Sequence, residues 1–299
     1  MPRASVILLT LGVYMLGMLA IGLAARRRNA SGEDFFLGGR RLGPLVSAIG
    51  ASASSSSVWT LLGVSGAAWA WGLGAVWLFP ACVGGFALNW FVLAPALRRE
   101  SRRTGAMTVA DVLAPDRRDP WQRATVMLAA LIILVCLGAY VASQFQGAGK
   151  IFASVFDIPA WQAVVIGAVV VLLYTMLGGL WAVSLTDTVQ GLAMAATAVV
   201  LPIAAVHHVG GFDGLGEALR TLDARGVLPE RYLAIGGPHP GALAVGFVLG
   251  LLGIGLGYPG QPHVVKYFMA LRDDEAAVRQ ARRYALLWAV VIYSGMILL

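Results

Sequence analysis

The stretch ASASSSSVW, from Ala51 to Trp59, lies inside an apolar run without charged residues that extends from Leu42 to Leu97. Much later, GIGLGYPGQPH extends from Gly253 to His263 inside a second uncharged run, Tyr232–Val265. Serine, glycine and proline interrupt a membrane helix here, and hydrocarbon offers no partner to the freed backbone N–H and C=O groups. A pair of interrupted helices is the sequence sign of a secondary transporter's binding site. The two stretches therefore indicate transport.

The composition predicts an all-α polytopic membrane protein, because 59% of the residues are hydrophobic, 12% are charged and the mean hydropathy is +0.77. A span needs roughly 20 apolar residues. We predict one transmembrane domain over residues 1–299. Its spans are predicted at 4–25, 44–71, 74–97, 124–149, 158–182, 188–206, 240–264 and, incomplete, 284–299.

The basic residues predict the orientation. Seventeen of the 22 lysines and arginines lie in three odd-numbered connections, Arg26–Arg41, Arg98–Arg123 and Lys266–Arg283. The positive-inside rule places these connections in the cytoplasm, with the N-terminus outside the cell inner (plasma) membrane. The net charge of +7 thus reflects topology in a lipid bilayer. We expect no nucleic-acid partner, because the chain has no soluble basic face.

The sequence carries no pattern of an enzyme. Cys82 and Cys136 fall within apolar spans, where buried thiols are packing residues, and the four histidines show no metal-ligand spacing with them. No nucleophile elbow, phosphate loop or pair of carboxylates lies within a span. We therefore predict no catalytic residues and no cofactor.

Four motifs occur in an order that is similar to that of a known family. They are FFLGGRRLGP (Phe35–Pro44), the serine run ending at Trp59, GGLWAVSLTDTVQG (Gly178–Gly191), and GLGYPGQPH (Gly255–His263) followed by ARR (Ala281–Arg283). The chain resembles the sodium/solute symporter family, and most closely its sodium/proline branch. The resemblance implies a five-helix inverted-repeat fold with one extra leading helix, alternating access, and Na+-coupled uptake of a small organic solute, such as the amino acid proline.

The resemblance also implies residues for the ion. Ala53, Ser56, Ser57 and the neighbouring carbonyls would belong to the Na+ site, since hydroxyls and opened carbonyls are suitable hard-oxygen ligands. Ser55 belongs to the same run, although the sodium/proline branch usually carries an aspartate there. Neutral oxygens bind sodium when they are well arranged, so coupling to Na+ or to H+ stays open at this point. Small residues can alternatively serve close helix packing.

The same resemblance implies residues for the substrate, namely Trp59, Tyr140, Tyr258 and Pro262. Trp59 and Tyr258 each adjoin an interrupted segment, and an amphipathic ring offers an apolar wall with one hydrogen-bond donor. The N-terminus of a half-helix can hold a substrate carboxylate without an arginine. We expect a zwitterionic or neutral small molecule. Ile254 replaces a tryptophan of the proline branch, so proline itself is a preference among such solutes.

Two charged residues have alternative interpretations. Asp187, or Thr186 before it, could cap the start of the sixth span, and the family motif places Asp187 on the inward path of the ion. Arg40 could only enforce topology, or it could take part in sodium-coupled gating, as the resemblance implies. Gln261 could satisfy freed backbone groups or face the substrate.

Three other interpretations compete with a carrier. The chain could be the solute-sensing module of a membrane sensor protein, an inactive truncated fragment, or a channel, although two half-broken helices suit an occluded site better than a continuous pore. Members of the family usually have more helices, so the second repeat is expected to be mostly absent. We therefore expect that residues 1–299 alone do not catalyse coupled transport.

The predicted topology can be tested by labelling single cysteines placed at Ser101 and Gly211, after Cys82 and Cys136 have been replaced by alanine. An impermeant reagent should reach the two sites from opposite sides of the membrane. Labelling of both sites from the same side would contradict the orientation.

Overall fold

The computed structural model describes residues 3–27, 30–116, 118–156 and 158–299. Arg28 and Arg117, which the topology prediction counts, lie outside these ranges. The helices of the described residues are α1 (Arg3–Arg26), α2 (Gly32–Leu37), α3 (Pro44–Ser55), α4 (Ser65–Trp71), α5 (Leu78–Leu88), α6 (Ala94–Thr104), α7 (Val109–Leu113), α8 (Pro120–Phe156), α9 (Ala160–His208), α10 (Gly211–Ala224), α11 (Gly241–Gly253), α12 (Pro262–Ala270) and α13 (Glu275–Leu298). Short 3-10 or π-helical turns lie at Gly38–Arg40, Trp59–Val64, Gly72–Trp77, Asn89–Leu93 and Ile254–Gly260.

Among the described residues, six helical segments are long and apolar enough to cross a membrane. They are Val6–Arg26, Trp59–Thr104, Pro120–Phe156, Thr175–His208, Gly241–Gly260 and Glu275–Leu298, with a shorter apolar helix at Ala160–Leu173. Most of their apolar side chains point outward, as in Leu16, Leu134 and Leu172, which are each at least 60% exposed. An apolar outer surface on long helices fits a multi-pass membrane protein.

Both interruptions that the sequence predicts are present. The first follows Ser55, because Ser56 leaves the helical region with φ −97° and ψ 106° before the π-helical turn Trp59–Val64. The second lies at Gln261, with φ −101° and ψ 93°, between the 3-10 turn Ile254–Gly260 and α12. Each interrupted span therefore consists of two half-helices joined by extended backbone.

The turn between the fifth and sixth predicted spans lies at Gly179, earlier than the expected gap between residues 182 and 188. Gly179 has φ +53° and ψ −151°, a conformation that side-chain-bearing residues rarely adopt. A Cβ atom there would also lie 2.8 Å from the carbonyl oxygen of Phe35. The polar pair Thr186–Asp187 looked like a helix start in the sequence, but the glycine makes the turn.

The last helix is longer than the predicted span 284–299. α13 has 24 residues, and its start is capped by Asp274, whose carboxylate accepts the N–H of Ala276 at 2.9 Å. At 1.5 Å per residue it extends ~36 Å, more than a hydrocarbon core of ~30 Å. The helix begins nine residues before the predicted span because the first turns of α13 are polar and fall outside an apolar window.

The main cluster of buried side chains lies where α3, α5, α12 and α13 meet. Large side chains fill this core, including Trp90, Tyr267, Phe268, Trp288 and Tyr293, all no more than 3% exposed. Small residues bring the backbones together, as at Gly295, where a Cβ atom would lie 2.0 Å from the carbonyl oxygen of Ala198. This close approach is typical of helix packing inside membranes.

A short backbone pairing joins the two interrupted spans at one end. Leu42, just before α3, forms an isolated bridge with Leu271, just after α12. The N–H of Leu42 donates to the carbonyl of Ala270 at 3.1 Å, and the N–H of Arg272 donates to the carbonyl of Leu42 at 3.1 Å. The entry of the first interrupted span is thereby fixed to the exit of the second.

Three α6 residues, Arg98, Ser101 and Arg102, hold this pairing in place, and we refer to them as the α6 clasp. Arg102 donates to the carbonyl of Leu271 at 2.9 Å and to that of Arg40 at 3.4 Å. Arg40 in turn donates to the hydroxyl of Ser101 at 2.6 Å. The clasp therefore connects α6 to both interrupted spans.

Arg98 is the most buried cation of the clasp, at 5% exposure. Its guanidinium donates to the carbonyl of Arg272 at 3.3 Å, to Asp273 at 3.0 Å and to Glu275 at 3.3 Å. The guanidinium itself is nearly buried, so the three bonds offset the cost of burying its charge, although both carboxylates are exposed.

Ser101 is fully buried, so a cysteine at this position is a poor target for an impermeant reagent. Arg99, two residues earlier, is exposed. The labelling experiment on this connection is therefore better made with a cysteine at Arg99.

We expect Arg98→Ala to lower the free energy of unfolding by about 1–3 kcal/mol, because it removes three charge-assisted bonds made by a nearly buried guanidinium. Arg103→Ala is the matched control, since Arg103 is exposed and, within the described part of the chain, its ion-pair partner is Glu100 on the same helix, at 2.6 Å. The control should cost about 0.5 kcal/mol or less. Equilibrium unfolding in mixed micelles measures both, and equal losses would contradict a role for the clasp.

Candidate functional site

The first interruption frees backbone carbonyls. In a continuous helix the N–H groups of Val58 and Trp59 would bond to the carbonyls of Ser54 and Ser55. Here the N–H of Val58 donates to Oε1 of Gln144 at 2.8 Å, and that of Trp59 donates to Oγ of Ser57 at 3.1 Å. Within the described part of the chain, the Ser54 and Ser55 carbonyls therefore lie outside the helical ladder.

Hydroxyl oxygens lie beside these carbonyls. The Ser56 side chain is 8% exposed, and among the described residues its hydroxyl has no hydrogen-bond partner. The Ser55 hydroxyl bonds back to the carbonyl of Ser52 at 2.7 Å, and the carbonyl of Ala53 accepts the N–H of Ser56 at 3.0 Å. Neutral oxygens of this kind suit a small monovalent cation, which offsets the cost of burying unpaired polar atoms.

The second interruption comes close to the first through His263. The imidazole of His263 interacts with the carbonyl of Ser54, and its ring lies 5.3 Å from the ring of Tyr140. The phenol of Tyr140 interacts in turn with the side chain of Ser57. The structure therefore brings Ser54, Ser57, Tyr140 and His263 together, with α8 on one side of the two interruptions.

Trp59 and Pro262 flank this meeting point. Trp59 is 39% exposed, and its ring lies against Gly63, where a Cβ atom would meet the indole at 2.7 Å. Pro262 starts α12 directly after Gln261, and it also lines an apolar cavity of about 580 Å³ between α6, α7, α8 and α12. Among the described residues, the buried Oε1 of Gln261 has no hydrogen-bond partner.

Tyr258 lies in an aromatic cluster. It is 4% exposed, its hydroxyl is 2.6 Å from the hydroxyl of Tyr293, and its ring centroid is 5.3 Å from that of Phe86. Gly85 permits this packing, because a Cβ atom there would lie 2.6 Å from the Tyr258 ring. The hydroxyl of Tyr258 thus already has a protein partner on α13.

Asp187 is a partly buried hydrogen-bond acceptor between three helices. Its Oδ2 accepts the hydroxyl of Ser54 at 2.8 Å and the hydroxyl of Tyr267 at 2.6 Å. Gly50 makes room for Tyr267, since a Cβ atom there would lie 2.6 Å from the phenol ring. Lys266 interacts with the carboxylate through its charge. The helix-cap interpretation of Asp187 was wrong, because the residue lies inside α9, well after the turn at Gly179.

Arg40 lies away from the interruptions, next to the α6 clasp. It is 9% exposed, has a positive φ of +54°, and forms an ion pair with Glu33. Its guanidinium also donates to the carbonyl of Ala106 at 2.9 Å. Arg40 therefore connects the approach to α3 with the end of α6.

Sequence reasoning missed three residues of this region as site residues, namely Gln144, His263 and Tyr267. A signal existed for Gln144, because an uncharged amide in the middle of the apolar span 124–149 needs a partner. His263 and Tyr267 follow the second interruption at one-turn spacing, on one face of α12. Their partners lie on other helices, which no local pattern predicts.

We expect Tyr267→Phe to lower the free energy of unfolding by about 1.5–3 kcal/mol, because it removes a bond from a fully buried donor to a carboxylate. Tyr284→Phe on α13 is the control, because Tyr284 is 38% exposed. Equilibrium unfolding measures both variants. If Tyr267→Phe is as stable as the control, the bond to Asp187 does not hold α12 against α9.

Comparisons with known proteins agree with this architecture. The model of the sodium:solute symporter family matches residues 35–299. The chain is 36% identical over 296 residues to the osmoregulated proline transporter of Bacillus subtilis (strain 168), covering 98% of this chain and 57% of that protein. It is 33% identical over 296 residues to the sodium/proline symporter of Escherichia coli (strain K12), covering 99% and 57%. The chain spans a little over half the length of these relatives.

A solved structure shares the fold. It is the substrate-bound, outward-open state of a Na+-coupled sialic acid symporter, with a TM-score of 0.76 and 18% identity over 96% of this chain and 59% of that one. In the five-helix inverted-repeat fold, α1 is the leading helix, α3 to α9 form the first repeat, and α11 to α13 begin the second. The two interrupted helices, the shared fold and the match over residues 35–299 show that this chain belongs to the sodium:solute symporter family.

Proposed function

We propose that this chain forms the core of a secondary active transporter that takes up a small amino acid, such as proline, together with sodium, by alternating access. One observation carries the proposal: the carbonyls of Ser54 and Ser55 are released from the helix directly beside the second interrupted span. The relatives that are proline transporters support the choice of substrate class.

The proposed sodium site is formed by the carbonyls at the end of α3 and by serine hydroxyls. Ala53, Ser55, Ser56 and Ser57 supply oxygens within a few residues, and the unpartnered hydroxyl of Ser56 supports a ligand there. Sodium bound among these oxygens would favour the interrupted form of the span, because it satisfies acceptors that a continuous helix would occupy. Asp187 would lie on the path of the ion, one hydrogen bond from Ser54.

The proposed substrate site lies between the two interruptions. Trp59 and Tyr140 would provide an aromatic wall, and the positive end of the α12 dipole, which begins at Pro262, would face a substrate carboxylate. Tyr258 would support this wall from behind, since its hydroxyl pairs with Tyr293. A zwitterion fits this arrangement, because its carboxylate meets the helix terminus and its apolar part meets the rings.

We also propose a role for Arg40 in alternating access, as a residue whose bonds close one end of the two interrupted spans. The α6 clasp closes one end of the two interrupted spans, and Arg40 bonds to it through Ser101. Opening a path at this end requires these bonds to break. We propose that this end faces the cytoplasm of a cell whose plasma membrane holds the protein, with the N-terminus outside, because the arginine-rich connections lie here.

The sodium requirement is tested in proteoliposomes of the protein that carries this chain, with labelled proline. Ser57→Ala should raise the sodium concentration for half-maximal uptake about threefold to tenfold, as expected for one lost ligand. Ser65→Ala, which removes a hydroxyl from α4 beyond the interruption, should leave it unchanged.

Two results would contradict the proposal. Unchanged sodium dependence in Ser57→Ala would remove Ser57 from the ion site. Uptake driven equally well by a proton gradient without sodium would show that protons are the coupling ion. This outcome is worth testing, because Ser55 stands where the sodium/proline branch usually carries an aspartate.

A further inference from the structure

The side chain of Gln144 replaces a backbone hydrogen bond in the first interruption. Its Oε1 accepts the N–H of Val58 at 2.8 Å, in place of the carbonyl of Ser54, which a continuous helix would use. This orientation of the amide also satisfies its other end, because Nε2 of Gln144 donates to the hydroxyl of Ser143 at 3.3 Å. In hydrocarbon an unpaired N–H is costly, so this one side chain satisfies a donor that the interruption creates.

Two neighbours on the same face of α8 fix the geometry around this bond. Tyr140, one turn before Gln144, interacts with Ser57. Gly147, about one turn after it, leaves space for Val58, since a Cβ atom there would lie 2.6 Å from Cγ1 of Val58. The spacing of four and three residues puts the three side-chain positions in one row along the helix. Through this row, α8 contacts the extended segment at Ser57 and Val58.

We propose that Gln144 is a positioning residue that holds the first interruption in its ion-binding shape. By accepting the N–H of Val58 it keeps this donor away from the carbonyl of Ser54. This oxygen also meets His263, and it then keeps the second of its two lone pairs for a cation. The inference rests on the proposed sodium-coupled function for the identity of the ion. The hydrogen bond between Gln144 and the N–H of Val58 does not depend on that function.

The chemistry predicts which substitutions keep the function of the side chain. Gln144→Leu has nearly the same size but no acceptor, whereas Gln144→Glu retains an acceptor oxygen at the same position. Gln146 is the matched control, since it is a glutamine on the same helix, two residues later, with an exposed side chain. A general requirement for a polar residue in α8 would give Gln144→Leu and Gln146→Leu the same effect.

The first measurement is hydrogen–deuterium exchange at Val58 in the purified protein that carries this chain, in lipid nanodiscs without sodium. The amide of Val58 should exchange about five- to tenfold faster in Gln144→Leu, because its partner is gone. It should stay protected in Gln144→Glu and in Gln146→Leu. An unchanged rate in Gln144→Leu would overturn the proposal, and so would equal acceleration in Gln146→Leu.

The second measurement is binding of ²²Na+ to the same preparations, with potassium as competitor. Gln144→Leu should weaken sodium binding about five- to tenfold, and Gln144→Glu should bind at least as tightly as the unmodified chain. A merely structural residue would instead lower the thermal midpoint of Gln144→Leu without this selective rescue, and that result would overturn the proposal. If the unmodified chain shows no preference for sodium over potassium, the proposed sodium coupling fails, and the exchange at Val58 alone decides the role of Gln144.

Discussion

The hydrogen-bonding demand of backbone in a membrane is the constraint on which this structure depends. Each N–H or C=O that leaves a helical ladder in hydrocarbon must find another partner, at a cost of several kcal/mol if it fails. The segment Ser56–Val58 meets this demand with partners from other helices. Gln144 accepts from it, and His263 interacts with the carbonyl of Ser54. α8 and α12 therefore supply partners for backbone groups that the interruption frees.

The same interruption is coupled to a partly buried carboxylate. Ser54 donates to Asp187, which also accepts from Tyr267 on α12. One acceptor oxygen thus joins α3, α9 and α12 at the level where both interrupted spans change direction. This arrangement needs very close backbones, and Gly50 provides the space for the Tyr267 ring. A displacement of any one of the three helices would change the hydrogen bonds of the other two.

A second connection lies at the end where the arginine-rich connections gather. The bridge between Leu42 and Leu271 and the α6 clasp join the entry of one interrupted span to the exit of the other. The two spans are thus linked at this end by ion pairs to exposed carboxylates, and in the middle by the hydrogen bonds of a partly buried carboxylate. A closed end with breakable ion pairs is what a transporter needs if it opens to one side at a time.

The sequence by itself determined the apolar spans, the two interruptions and the family motifs, because each depends on neighbouring residues. Helix formation and its interruption depend on residues that are neighbours in the sequence. This holds for the uncharged runs, the serine run at Ser54–Ser57 and the Gly/Pro segment before His263. The sequence misplaced the turn at Gly179 and the start of α13, where polar residues hid the boundary. Only the tertiary structure decided which side chains cover the opened backbone. Gln144 lies 86 residues from Val58, and Tyr267 lies 80 residues from Asp187. Contacts at such separations are set by how whole helices pack, and no local pattern of residues contains that information.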